Sequence, residues 1–316
     1  MHEDEVTTDA ALVERLIAAQ FPEWASLPVA CVDSFGTDNA IYRLGDEWSV
    51  RLPRVPWAVA PLEREFAWLP RIAERLPVEV PVPVALGAPG PGFAWPWTVC
   101  RWLEGDHPEA ADRASAEASA QVTLARDLAR FVRAMRALDP AGAPITAWPR
   151  PLPDEADLVL AELDLLGSER VAALAIWEEA VATRYDGPPT WIHGDLAPGN
   201  LLLRDGRLSG VLDFGTMGVG DPASDLRVAW NLLSRQARAT FRDEVGADEA
   251  TWTRARGWAL LQAVAQLSYF GERHPRLTAN ARRVVGELTA EREGWGERPA
   301  AASPGDERPA AASRGD

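Results

Sequence analysis

Three polar side chains stand out in the segment WIHGDLAPGNLLLRDGRLSGVLDFG, residues 191–215: Asp195, Asn200 and Asp213. Around them the residues are those of strands, NLLL and LSGVLDF, separated by RDGR, and Asp205-Gly206 is a strong hairpin signal. With Asp205 and Gly206 as the two loop residues, Asn200 faces Val211, and Asp213 lies diagonal to Asn200 on the same face, roughly 7 to 8 Å away. An amide oxygen and a carboxylate so placed can converge on one hard cation such as magnesium, which takes oxygen ligands and keeps positions for other oxygens. Asp195 precedes Asn200 by five residues, in irregular backbone marked by Gly194, Pro198 and Gly199. A carboxylate there can accept the proton of a hydroxyl, or orient it for in-line attack on a phosphoryl group held by the metal.

The elements that must carry these residues can be read outward from the motif. Leu12, Val13, Leu16 and Ile17 recur at helical spacing after Thr8 and Asp9, either of which can cap. Residues 29–53 alternate and break at glycine as three strands, a helix follows from about 62 to 74, and VEVPVPVALG and WPWTVCRWL supply two more strands, with prolines that suit edges. After EGD, residues 104–106, the texture becomes alanine-rich helix, with Leu124, Leu128, Phe131, Met135 and Leu138 on one stripe. A second helical stretch runs from about 154 to 183, and further helices follow the motif from about 222 to 290. The expectation is an α+β chain of two lobes: a β-rich lobe over residues 1–103 and a mainly helical lobe over 104–295. The closing segment, 296–316, repeats ERPAAAS and has the composition of a disordered tail.

Composition narrows the class. Of 316 residues, 47% are apolar and 25% charged, as in an ordinary globular protein. No apolar run approaches the roughly 20 residues needed to cross a bilayer, and the acidic start MHEDEV is unlike a secretory signal, so a cytoplasmic protein is expected. Two cysteines are too few for a disulfide framework or a zinc site. A formal net charge of −15 argues against a nucleic-acid partner and is compatible with a cationic substrate.

HGDLAPGN at 193–200 with DFG at 213–215 resembles the catalytic and metal-binding segments of the aminoglycoside phosphotransferase and choline kinase-like enzymes, relatives of the protein kinases. SFGTDNAIYRLGDEWSVRLPR resembles the nucleotide-covering hairpin and third strand of that family, and GVGDPASDL its segment after the metal aspartate. The resemblance implies a two-lobed protein-kinase-like fold, ATP or GTP as phosphoryl donor, and magnesium. It makes Asp195 the catalytic base, Asn200 and Asp213 the metal ligands, and His193 and Asp225 supports of the loop, with Asp221 a plain helix cap. It places Gly36 in the hairpin over the phosphates, where one glycine stands instead of a glycine-rich run. Arg51 takes the place of the usual lysine on the third strand, and its planar fork can hold phosphate oxygens or a carboxylate. Both Glu63 and Glu65 could partner it. Glu65 shares the apolar stripe of Leu62, Phe66 and Leu69 and so needs a cation, whereas Glu63 points away. VCRWLEG, with Arg101 and Trp102, resembles the hinge that reads the nucleobase.

For the acceptor, Asp154, Glu155, Asp157, Glu162 and Asp164 cluster on one stretch, and Tyr269 and Glu272 lie on a later one. Asp157, Glu162, Tyr269 and Glu272 are the acceptor-binding candidates, and a solvated helix face is the alternative. The reading that follows is a small-molecule kinase acting on a hydroxyl, with an aminoglycoside-like antibiotic as first acceptor class. A macrolide, basic peptide antibiotic, sugar or choline-like alcohol is the alternative. A nucleotide-binding pseudokinase scaffold is the reading from another class, supported by Arg51 and the glycine-poor hairpin and opposed by the intact Asp195, Asn200 and Asp213.

Overall fold

The computed structural model of the chain describes residues 5–32, 38–108, 118–146 and 151–293. Helix α1 (Ala10–Gln20) starts where the Asp9 carboxylate accepts the Leu12 amide at 2.7 Å. It buries Leu12, Val13, Leu16 and Ile17 against an antiparallel sheet of five strands, ordered β1-β2-β3-β5-β4. The strands are β1 (Val29–Cys31), β2 (Asn39–Leu44), β3 (Trp48–Pro53), β4 (Pro83–Gly87) and β5 (Trp97–Arg101). The proline-bearing β4 occupies an edge, where a missing amide donor costs no ladder bond. Val50, Leu52, Trp97 and Val99 point to the α1 side and close the N-terminal core. By strand alternation Ser49, Arg51, Thr98 and Cys100 face the other way, and all four are buried.

Between β3 and β4, helix α2 (Val59–Ile72) begins a turn earlier than the expected start at Leu62. Its Leu69 and Ile72 belong to the core of the helical half, and Trp68 packs edge-on against Trp191 at 5.3 Å between ring centroids.

The helical half contains α3 (Ala118–Arg136), α4 (Ala156–Glu162), α5 (Arg170–Ala182), α6 (Val228–Leu232), α7 (Arg235–Val245), α8 (Glu249–Phe270) and α9 (Pro275–Glu293). Leu124, Leu128, Phe131 and Met135 of α3 are buried, as their spacing requires. The stretch expected as one helix from about 154 to 183 is divided. Gly167 adopts φ 57°, a left-handed conformation that stops the first helical segment before α5 begins. Two short two-stranded ladders complete the half: β6 (Thr190–Ile192) with β9 (Gly218–Gly220), and β7 (Leu201–Arg204) with β8 (Arg207–Val211). Among the described residues no helix is long and apolar enough to cross a membrane. The ERPAAAS repeats lie outside the described residues.

Candidate active site

The β7–β8 hairpin turns on Asp205 and Gly206, with φ of 53° and 73°, the paired positive values of a type I′ turn. Its register differs from the expected one. Arg204 pairs with Arg207 and Leu203 with Leu208, but a bulge then shifts the ladder so that Leu202 faces Gly210 and Leu201 faces Val211. Asn200 therefore stands opposite Leu212, whose amide its carbonyl accepts at 2.8 Å. With that register simple alternation would turn Asp213 away from Asn200. Asp213 instead takes a left-handed φ of 58°, which re-aims its side chain, and both residues line one cavity. The bulge adds one residue that no turn signal announces, so sequence spacing alone misses it.

The hairpin is gripped from outside. Asp106 exchanges backbone bonds with Leu203 at 2.8 and 2.9 Å, and Glu79 does so with Ser209 and Val211 at 2.9 and 3.0 Å. Asp127, on the apolar stripe of α3, takes Arg207 bidentately at 2.7 and 2.7 Å.

The loop before β7 is equally constrained. Asp225 accepts the amides of His193 and Gly194 at 2.9 and 2.8 Å. Gly194 has φ +84°, and a Cβ there would meet the Thr216 carbonyl at 2.9 Å. Gly194→Ala is expected to lower stability by about 1–3 kcal/mol from backbone strain, measured as a drop in Tm. His193 is fully buried. Its Nε2 donates to the Leu212 carbonyl at 3.0 Å, and its Nδ1 accepts the Asp195 amide at 3.1 Å. That pairing fixes the neutral tautomer, and burial holds the imidazole below its usual range against the nearby carboxylates of Asp225, Asp195 and Asp213. The ring packs on Phe214 at 4.5 Å. His193 thus binds the loop backbone to the DFG segment.

Asp195, Asn200, Asp213 and Arg51 share a cavity of about 330 Å³ with Arg101, Trp102 and His107. Asn200 Nδ2 donates to the Asp195 carbonyl at 2.8 Å and to its Oδ2 at 3.1 Å. Arg51 and Glu65 form a buried pair at 2.5 Å, and Arg51 Nη2 lies 3.8 Å from Asp213. The apolar-stripe argument for Glu65 over Glu63 thus matches the observed pairing. Burial pushes the Glu65 carboxyl up to about 7, against the pull of Arg51, while the Glu65 and Asp213 carboxylates keep the Arg51 guanidinium charged despite its own burial. Helix α2 reaches the DFG segment a second time through Arg64, which donates to the Gly215 carbonyl.

Several expected residues stand elsewhere. Gly36 lies outside the described residues, as does the Glu272 side chain. Trp102 lines the cavity, but its amide is committed to the Glu47 carbonyl at 2.7 Å and its ring is covered by Arg43 at 4.1 Å. Asp157, Glu162 and Tyr269 do not line the cavity. Glu162 accepts Ser268 Oγ at 2.8 Å, which joins α4 to the end of α8 beside Tyr269, and Asp157 is exposed on α4. Asp221 caps the Ala223 amide at 2.9 Å and also takes Arg254 at 2.9 Å.

Two residues that sequence reasoning missed touch Asp195. Arg227 Nη2 donates to its Oδ1 at 2.7 Å, and Gln262 Nε2 approaches the same oxygen at 3.4 Å. Arg227 had a visible signal: a charged residue inside the apolar run following Asp225.

Residues 30–258 match the family model described as the phosphotransferase enzyme family. The chain belongs to that family. A curated relative, an aminoglycoside 3'-phosphotransferase of Escherichia coli, is 29% identical over 121 residues, spanning 36% of this chain and 45% of that protein, under half its length. Among solved structures, the GDP complex of aminoglycoside 2'-phosphotransferase-IIIa superposes with a TM-score of 0.74 at 21% identity, covering 90% of this chain and all (100%) of that one. Macrolide 2'-phosphotransferase type I superposes at 0.60 with 21% identity, covering 89% and 98%. At such identities the superpositions show the fold. The two-lobed kinase-like arrangement expected from the motifs is the one this phosphotransferase-family chain adopts.

Proposed function

We propose that this chain is a small-molecule kinase that transfers the γ-phosphoryl group of ATP or GTP to a hydroxyl. The observation that carries this reading is the convergence of Asp195, Asn200, Asp213 and Arg51, which is paired with the buried Glu65, on one cavity between the sheet and the helical half. A binding scaffold needs the cation for phosphate. It does not need a carboxylate held beside the metal-type pair.

Magnesium fits the donor set. The Asn200 amide nitrogen is turned toward Asp195, which leaves its oxygen as the remaining donor beside the Asp213 carboxylate. Among the described residues there is no group of three or more His, Cys, Asp or Glu side chains that could hold a metal. One amide oxygen and one carboxylate are too few for an all-protein cage and suit an ion shared with nucleotide phosphates. When bound there, magnesium neutralises charge on the phosphate oxygens. Arg51, fixed by Glu65, binds phosphate from the sheet side, and Asp195 orients the acceptor hydroxyl. His193 and Asp225 hold the loop that carries it. Because the Trp102 amide is already spent on Glu47, the base is read by the remaining backbone groups of the 99–105 segment.

An aminoglycoside-like antibiotic is the first acceptor class, supported by the aminoglycoside 3'-phosphotransferase relative and by a formal net charge of −15, which suits a cationic acceptor. One observation favours a bulkier, less charged acceptor such as a macrolide. Leu160 on α4, Leu165 just after it and Tyr269 near the end of α8 are 49%, 43% and 46% exposed. Consumption of nucleotide suits a cytoplasmic enzyme with no nucleic-acid partner.

The test is a panel assay of magnesium-dependent nucleotide consumption with aminoglycosides, macrolides, peptide antibiotics and simple alcohols. Stimulation by one class with recovery of a phosphorylated product is expected. Nucleotide binding with no turnover on any acceptor would replace this reading with the scaffold.

A further inference from the structure

The turn after β9 places two ions on the same loop from opposite sides. Asp225 takes the Gly194 amide, and Arg227, two residues on, donates to the Gly194 carbonyl at 2.6 Å and to Asp195 Oδ1 at 2.7 Å. The Arg227 side chain is 2% exposed, and its Nε is buried without a hydrogen-bond partner among the described residues. Burial of a guanidinium with an unsatisfied donor is costly, and replacing a buried ion pair by apolar residues of similar volume is often neutral or stabilising. Both of its short bonds go to the two residues of the loop that carries the Asp195 carboxylate.

The hydrogen-bond capacity of Asp195 points to what those bonds do. An ionised carboxylate offers about four lone-pair sites. Among the described residues, Oδ1 receives Arg227 and the longer contact from Gln262, whereas Oδ2 receives only Asn200. The Asp195 side chain is 34% exposed, so the uncommitted position on Oδ2 opens toward the cavity.

We propose that Arg227 is a positioning residue for phosphoryl transfer: it holds Asp195 Oδ1 and the Gly194 carbonyl together, so that Oδ2, beside Asn200, is the oxygen presented to the acceptor hydroxyl. This rests on the transfer reading above. In the step, the acceptor oxygen bonds to the γ-phosphorus, and the bond from that phosphorus to the β,γ-bridging oxygen breaks. Its electron pair stays on the nucleoside diphosphate, and the hydroxyl proton passes to Oδ2. Without Arg227 the carboxylate keeps only the Asn200 bond and the longer Gln262 contact among the described residues, and the hydroxyl meets a less firmly held partner while the nucleotide contacts remain.

The test compares Arg227→Met, Arg227→Lys, Asp195→Asn and the Asp195→Asn/Arg227→Met double variant with the parent protein. The readouts are calorimetric nucleotide affinity, thermal midpoint, and magnesium-dependent turnover with the best acceptor or, failing one, with water. Arg227→Met is expected to lower kcat about 100-fold, the scale of a misplaced catalytic group. Nucleotide affinity should stay within about twofold, whereas the thermal midpoint should fall, because the methionine removes one partner of a buried pair and leaves the Gly194 carbonyl without its donor. Arg227→Lys should recover part of the rate. In the Asp195→Asn background the methionine should cost nothing further, since groups acting as a unit are non-additive.

Parent-level turnover in Arg227→Met overturns the inference alone, and so does a loss that adds fully to that of Asp195→Asn. If Arg227→Met fails to fold, Arg227→Gln, which removes the cation, carries the comparison: a rate and affinity equal to the parent's counts against the role, and a kcat loss at constant affinity supports it. A parent protein that turns over nucleotide neither with any acceptor nor with water removes the transfer reading, and this inference with it.

Discussion

Asp195→Asn is expected to lower kcat by about a thousandfold while nucleotide affinity stays within about twofold of the parent. Asparagine is the informative change because its amide oxygen can keep the contact with Arg227, where alanine would leave a fully buried guanidinium without its carboxylate. The Asn200 amide also retains its bond to the residue 195 carbonyl, so the loop stays in place. What is lost is the negative Oδ2 that meets the hydroxyl. A thousandfold loss corresponds to about 4 kcal/mol of transition-state stabilisation. The measurement is steady-state transfer alongside calorimetric nucleotide binding, and turnover within tenfold of the parent would remove Asp195 from the chemistry.

The second large effect belongs to Asp213. Asp213→Asn is expected to weaken magnesium-dependent nucleotide binding by about 100-fold or more, with far less change in binding measured without the metal. Asparagine again is preferable to alanine, because residue 213 sits at φ 58° and Asn tolerates the left-handed region better. Loss of this carboxylate also removes a negative charge 3.8 Å from Arg51, so metal-free affinity should hold or rise slightly. Magnesium-dependent affinity equal to the parent's in Asp213→Asn would place the metal elsewhere.

Much of the arrangement was legible because local rules and tertiary demands agreed. The Asp205-Gly206 pair announced a type I′ hairpin, and Glu65 on an apolar stripe announced a buried cationic partner. The α3 stripe announced a core helix. The register of Asn200 was misread because a bulge leaves no compositional trace, and the convergence with Asp213 is achieved by a left-handed backbone rather than by strand alternation. Arg227 and Gln262 come to Asp195 from 32 and 67 residues away, and only the packing of the turn and α8 brings them there. The acceptor candidates were the least legible: Glu162 is engaged by Ser268, and none of the described ones lines the cavity. Charge clusters on a solvated helix face carry no positional information of their own.

Helix α2 belongs to both halves of the molecule. Its Glu65 anchors the phosphate-side arginine of the sheet, while Leu69, Ile72 and, just beyond, Leu76 and Val80 are buried with the helices of the other half. A chain cut at the 99–105 segment would expose that apolar surface to water. The nucleotide-facing half is therefore not a transplantable cassette. Nor can α2 swing outward to open the Arg51–Glu65 pair without separating Leu69 and Ile72 from the core they share with the helices.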